Sequence, residues 1–131
     1  MMEIEFRGKE TAKNGRWIFG FYINYSKFEE GLGDSVEIVR HSIKRHDGGD
    51  IEDVIFKTVG QYTCLKDKNG VKIFGGDILR DENKTLGTVE FNKGRFVGSF
   101  YGRTYYSELY FDAEKSEVIG NIHDNPELME A

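Results

Sequence analysis

Alternation of apolar and polar positions runs through much of this sequence. Such alternation marks strands whose two faces meet different surroundings. It is clearest in the run Trp-Ile-Phe-Gly-Phe-Tyr-Ile-Asn-Tyr at residues 17–25, where Trp17, Phe19, Phe21, Ile23 and Tyr25 fall on one face. Gly20 lies on the other face and predicts a bulge or a close approach of neighbouring backbone. A shorter strand precedes this run, with Ile4 and Phe6 alternating against Glu3, Glu5 and Arg7. The polar stretch 8–15 between them reads as a loop. Residues 26–35, where glycines and acidic residues crowd together, read as a second loop. Residues 36–43 alternate again, 46–53 form a Gly/Asp-rich turn, and 54–62 are strand-like.

The second half follows the same grammar. Asp67-Lys68-Asn69-Gly70 predicts a hairpin turn, because Asn and Gly tolerate the positive φ such turns need. A strand at 77–80 follows the Gly75-Gly76 break, and 81–84 is a turn. Strands at 87–91 and 95–101 are joined at Asn92-Lys93-Gly94. Residues 105–111 fit a strand or a short helix, and 117–122 a closing strand. At the end, Asn125 as a cap and Pro126 at the first helical position, with Glu127 in the first turn, predict a short helix in 124–131. Short strands separated by turns predict a small barrel or sandwich rather than βαβ units.

Composition agrees with an ordered domain. Of 131 residues, 38% are hydrophobic and 14% aromatic, with a single proline, the reverse of the disordered signature. The formal net charge of −5 disfavours duplex nucleic acid, whose phosphates select basic surfaces, although a local patch can act alone. Cys64 is the only cysteine, so no intrachain disulfide forms, which fits a reducing cytoplasm. The N-terminus lacks the basic and apolar regions of a signal peptide. No apolar run reaches the roughly 20 residues of a membrane span.

Few segments carry candidate chemistry. Asp67-Lys68-Asn69-Gly70 lacks the earlier ligand and the bidentate Glu of a calcium loop. His41 and His46, with Asp47, Asp50 and Asp53 nearby, make a poor zinc set. Gly31-Leu32-Gly33 lacks the third glycine of a dinucleotide fingerprint, and neither a Walker lysine nor a nucleophile elbow is present. Cys64 has no sequence-local histidine and reads as a buried or half-buried structural thiol rather than a nucleophile. The expectation is therefore no catalytic residue, no metal and no cofactor. One basic segment, 40–46, can contact phosphate through Arg40, Lys44 and Arg45. Tyr101, Tyr105 and Tyr106, with Arg95 and Arg103, can offer stacking for bases elsewhere. The competing explanation of the basic segment is a charged strand edge guarded against aggregation.

A longer pattern connects the middle and both ends. Residues 58–70 read Thr-Val-Gly-Gln-Tyr-Thr-Cys-Leu-Lys-Asp-Lys-Asn-Gly and are followed by Ile73-Phe74 and Gly76-Asp77-Ile78-Leu79. With the tail at 117–128 and the opening Glu3-Ile4-Glu5-Phe6-Arg7, this resembles the YopX family over essentially the whole chain. The resemblance implies a phage or prophage setting and no particular mechanism. Cys64 departs from the Gly usual at that position, and Gly75 from an acidic residue. A Cys there implies negative φ and ordinary strand geometry. The signature Gly60, Gln61, Tyr62, Leu65, Asp67, Asn69, Gly70, Gly76 and Asp77 reads as a turn device, with Leu65 and Ile73 packed under the loop and Asp67 and Asn69 bonded to its amides. Its alternative is a ligand surface made by Gln61, Tyr62, Lys66 and Asp67.

The expected fold is all-β: an N-terminal β region at 1–58 packed with a small SH3-like barrel at 59–123. The expected function is a non-enzymatic, cytoplasmic phage or prophage accessory protein. It would act through protein contacts, with itself and with a host or phage partner, because the aromatic strand at 17–25 has more apolar surface than one face needs. The rival is a nucleic-acid-binding barrel, and a gel shift at low and moderate salt discriminates the two.

Overall fold

The computed structural model describes residues 3–12, 14–30, 33 and 35–130. It is almost entirely antiparallel β structure, as the alternation predicts, and divides into two compact units, Glu5–Val59 and Gly60–Ala131 with Met1–Ile4.

The first unit holds β1 (Phe6–Lys9), β2 (Trp17–Glu30), β3 (Ser35–Arg45) and β4 (Ile51–Asp53), hydrogen-bonded in the order β4-β3-β2-β1. Its core is Ile18, Ile43 and Val54, with Phe6, Tyr22 and Val59 packed against them. Alternation explains the selection. Ile18 and Tyr22 share one face of β2, and the register sets Ile43 opposite Tyr22 and Phe6 opposite Gly20. The core therefore takes the face opposite the aromatic stripe. A 3₁₀ turn, Phe56–Thr58, then carries the chain to Val59. Thr58 Oγ1 fixes it by accepting from Lys9 N at 2.9 Å and donating to the Ile55 carbonyl at 2.6 Å.

Several expectations for this region change: β1 takes Gly8 and Lys9 from the loop expected at 8–15, and β4 takes Ile51–Asp53 from the turn expected at 46–53. Residues 26–30 and 35 are not loop: β2 runs on to Glu30, and the ladder with β3 reaches Glu30↔Ser35. The strand-favouring run Val36-Glu37-Ile38-Val39 stands opposite Glu29, Phe28, Lys27 and Ser26, so one partner supplies the propensity the other lacks. Residues 31, 32 and 34, including two of the Gly31-Leu32-Gly33 motif, lie outside the described residues. Residues 54–62 are not one strand either. Val54 makes a single bridge to Glu10, and the 3₁₀ turn intervenes before the next strand.

The second unit begins with a hairpin of β5 (Gly60–Lys66) and β6 (Lys72–Phe74). A five-stranded sheet follows, built from β7 (Asp77–Arg80), β8 (Leu86–Asn92), β9 (Arg95–Phe100), β10 (Ser107–Glu108) and β11 (Glu117–Asn121), in the order β10-β9-β8-β7-β11. The β8–β9 loop is Lys93-Gly94, with φ of 50° and 83°, the two-residue turn that matches strand twist. Ile73, Leu79, Val89, Phe100, Leu109 and Ala113 form the core.

The expected barrel does not close. β10 has only two residues and β11 pairs only with β7, so the sheet ends at two edges. Residues 105–111 contain both anticipated forms, β10 and then a single helical turn, α1 (Leu109–Asp112). The terminal helix is a 3₁₀ turn, Pro126–Met129, and Asn125 does not cap it. Its Oδ1 instead accepts from the Asn121 amide at 3.2 Å, which anchors the tail to β11.

Candidate protein-contact surface

Residues opposite one another in an antiparallel ladder share a face. Register therefore builds a continuous surface around the aromatic stripe of β2. Trp17 and Phe19 stand opposite Lys9 and Arg7 of β1, and Phe21, Ile23 and Tyr25 opposite Lys44, Ser42 and Arg40 of β3. Ser42 and Lys44 in turn face Asp53 and Ile51 of β4. The Arg7 guanidinium lies 4.7 Å from the Trp17 ring centre and the Lys9 ammonium 5.8 Å. The stripe is open to solvent: Phe21 is 57% exposed, Tyr25 50% and Ile51 57%. Burying side chains of this size is worth roughly 1.5–3 kcal/mol each, which makes the stripe a candidate contact surface.

A groove of about 670 Å³ runs along this face, lined in part by Ile23, Tyr25, Ile51, Glu10, Arg40 and Asp53. Two of its carboxylates are paired within the fold. Arg16 binds Glu10 through Nε at 3.0 Å, and hydrogen bonding to that guanidinium holds the Glu10 carboxyl below its ordinary range. Asp53 accepts from Arg40 at 2.9 Å and from Ser42 Oγ at 2.8 Å, and both bonds lower its pKa, Arg40 first. The groove thus sets exposed apolar side chains of β2 beside a row of paired polar groups on β3 and β4.

The same pairing bears on the predicted phosphate contacts. Arg40 is engaged by Asp53, Lys44 donates to the Gly49 carbonyl at 2.5 Å, and Arg45 binds Asp47 at 2.8 Å. Strand parity also sends Arg45 to the opposite face from Arg40 and Lys44. The additive positive field suggested by the local sequence is thus divided between two faces, and Arg40 and Arg45 are paired with carboxylates. Tyr105 and Tyr106 belong to the second unit, on the exposed loop after β9. The arginines named beside them are paired too, Arg95 with Glu108 and Arg103 with Asp81. Among the described residues, no group of three or more His, Cys, Asp or Glu could hold a metal ion, and no helix is long and apolar enough to cross a membrane.

The conspicuous sequence signature is architectural. Buried Asp67 accepts from the amides of Asn69 at 2.8 Å and Val71 at 2.9 Å through Oδ1, and from Val118 at 2.9 Å through Oδ2. One carboxylate therefore closes the β5–β6 turn and ties it to β11. Gly70 takes the turn's positive φ of 81°, while the Asn69 side chain, expected to bond the loop's amides, instead donates to Glu117 at 3.4 Å. Asp77, also buried, accepts from the Phe74 amide at 2.7 Å across Gly75-Gly76. Gly60 lies so close to Gly75 that a Cβ would meet its carbonyl oxygen at 2.4 Å, and the Gln61 carbonyl accepts from the Gly75 amide. Tyr62 is buried against Phe74, and Leu65 packs on the core.

A family model, YopX protein, matches residues 5–130. The chain belongs to the YopX family. It is also similar to the crystal structure of protein EF1440 from Enterococcus faecalis, with 25% identity over 99% of this chain and 100% of that one and a TM-score of 0.58. No curated protein matches it. Within the YopX signature, Cys64 needs correction. It is exposed, with φ of 68°, where ordinary strand geometry and burial were expected. The ladder shifts register between Tyr62 and Lys66, and Cys64 occupies this irregularity in the left-handed region that favours glycine. Its thiol contacts the Glu3 carbonyl at 3.2 Å. The Glu10–Arg16 and Asp53–Arg40 pairs of the groove left no local mark in the sequence, since strand register alone brings Asp53 to Arg40.

Proposed function

We propose that this YopX protein is a non-enzymatic accessory protein that works through protein contacts made by the outer face of the β1–β4 sheet. The phage or prophage setting and the bacterial cytoplasm are part of this reading, taken from the sequence resemblance. The observation that carries it is the exposed stripe Phe21, Ile23 and Tyr25 on β2, with exposed Ile51 of β4 on the same face beyond Lys44 of β3. Catalysis has less support, because Glu10 and Asp53 along the groove are engaged in ion pairs with Arg16 and Arg40. Binding of nucleic acid has less support because Arg40, Lys44 and Arg45 are each engaged by a carboxylate or carbonyl.

The test replaces Phe21 and Tyr25 together by Asp. The variant should keep the wild-type circular dichroism and melting temperature while losing complexes seen by light scattering, whether with itself or with a purified phage or host partner. Unchanged complexes would remove the face from the function. A gel shift that survives moderate salt would replace this reading with the nucleic-acid one.

A further inference from the structure

The β2–β3 hairpin is longer than the sheet that supports it. β1 pairs with β2 only at Trp17–Gly20, and β4 with β3 only at residues 42–44. Beyond those points β2 and β3 continue to Glu30 and Ser35 as a two-stranded ribbon. Ile23, Tyr25 and Phe28 on β2 and Val39 on β3 are all exposed, with Phe28 at 72%. Among the described residues no strand pairs with the other edge of β2 past Gly20. A two-stranded ribbon is marginal in water, and an open edge of unpaired amides and carbonyls is a template for another strand.

The sequence along that edge selects its occupant. When a strand pairs antiparallel with a second copy of itself about a two-fold axis, residues facing one another must have the same parity, because only these share a face. An axis at Phe28 sets Phe28 against Phe28, Lys27 against Glu29, Glu29 against Lys27, and Glu30 against Ser26. Every charged residue in this register meets an opposite charge or a hydroxyl. Moving the axis to Lys27 or Glu29 sets like charges face to face, which disfavours pairing. Within one chain Lys27 and Glu29 already lie side by side, 2.7 Å apart, so the alternating charges are presented on one face.

We infer that the occupant of the free β2 edge is a second copy of this chain, added antiparallel about Phe28 so that two ribbons form one four-stranded sheet. The inference rests on the protein-contact reading and names one partner for the same unit. It uses an edge, whereas the preceding test used the face.

Charge variants and light scattering at micromolar concentration test it. The wild type should have the mass of a dimer. Lys27→Glu and Glu29→Lys should each weaken dimerisation by about tenfold or more, since each turns both cross-strand attractions into repulsions. Mixing the two single variants should restore a dimer, as the carboxylates at positions 27 and 29 of one chain then meet ammonium groups at both positions of the other. Both variants have lost the pair within the chain, so recovery on mixing reads only the contact between chains. The double variant K27E/E29K should also dimerise. A monomeric wild type would overturn the inference while leaving contacts with a different protein partner intact. A dimer indifferent to both single variants, or no recovery on mixing, would overturn the edge and register.

Discussion

At the residue scale the instructive position is Cys64. An L-residue in the left-handed region costs about 1–2 kcal/mol relative to the right-handed one, and glycine escapes that cost while losing more backbone freedom on folding. The first effect is the larger, so Cys64→Gly should raise stability by about 0.5–1 kcal/mol in urea unfolding. Cys64→Ala should change stability little, because the thiol fills no core space, and the native thiol should react quickly with a labelling reagent. A clear loss of stability in the Ala variant would mean the side chain does more than its exposure and its contact with Glu3 imply. Asp67 is the opposite case. Its carboxylate receives the amides of Asn69, Val71 and Val118. Asp67→Ala leaves all of these without their acceptor and should cost about 3 kcal/mol, with the largest loss of hydrogen-exchange protection at Val71 and Val118.

At the element scale, strands were legible where alternation was strong and opaque where pairing came from elsewhere. Residues 17–25 announced β2, and the Asn92-Lys93-Gly94 turn announced the β8–β9 hairpin. The extension of β2 to Glu30 depends on its partner β3, which no local window of sequence contains. The groove was invisible for the same reason, while the family signature drew attention because buried carboxylates in turns leave a dense local pattern. The choice of core face could not be read from β2 alone either, since its aromatic face is the more hydrophobic one and yet lies outside. Gly20 shows what a local signal can achieve: the close approach it predicted is present, and a Cβ there would stand 2.0 Å from the Lys44 carbonyl oxygen. Gly20→Ala must push β3 away and should cost about 1–3 kcal/mol. Gly87 plays a related part in β8, facing Phe100 across the ladder with room for the ring but not for a Cβ, which would lie 2.6 Å from it. Melting temperatures of the two alanine variants check both.

At the scale of the whole molecule, the distribution of ion pairs predicts unequal behaviour in acid. In the Glu5–Val59 unit, Glu10, Asp47 and Asp53 are held below their ordinary pKa values, chiefly by hydrogen bonds from Arg16, Arg45 and Arg40 respectively. A carboxylate depressed in the folded state contributes stability that is present above its unfolded pKa and is lost as pH falls through the folded one. In the second unit the Glu117 carboxyl is likewise held low, chiefly by its hydrogen bond from Arg80. Burial pushes the Asp112 carboxyl up, so its contribution favours folding below its unfolded pKa and disappears as pH rises through the raised value. Acid therefore removes the contributions of Glu10, Asp47 and Asp53 from the first unit, whereas in the second the loss at Glu117 is set against the gain at Asp112. The sequence has a single tryptophan, Trp17 in β2, so its fluorescence reports the first unit alone. On titration below about pH 4, where free carboxylates protonate, the Trp17 transition should come at higher pH than loss of the core methyl resonances of Leu79 and Leu109. Salt should narrow the interval, because these pairs lie largely at the surface and are screened. Coincident transitions at low salt, or an earlier loss of the leucine signals, would show that these surface pairs do not govern which unit yields first.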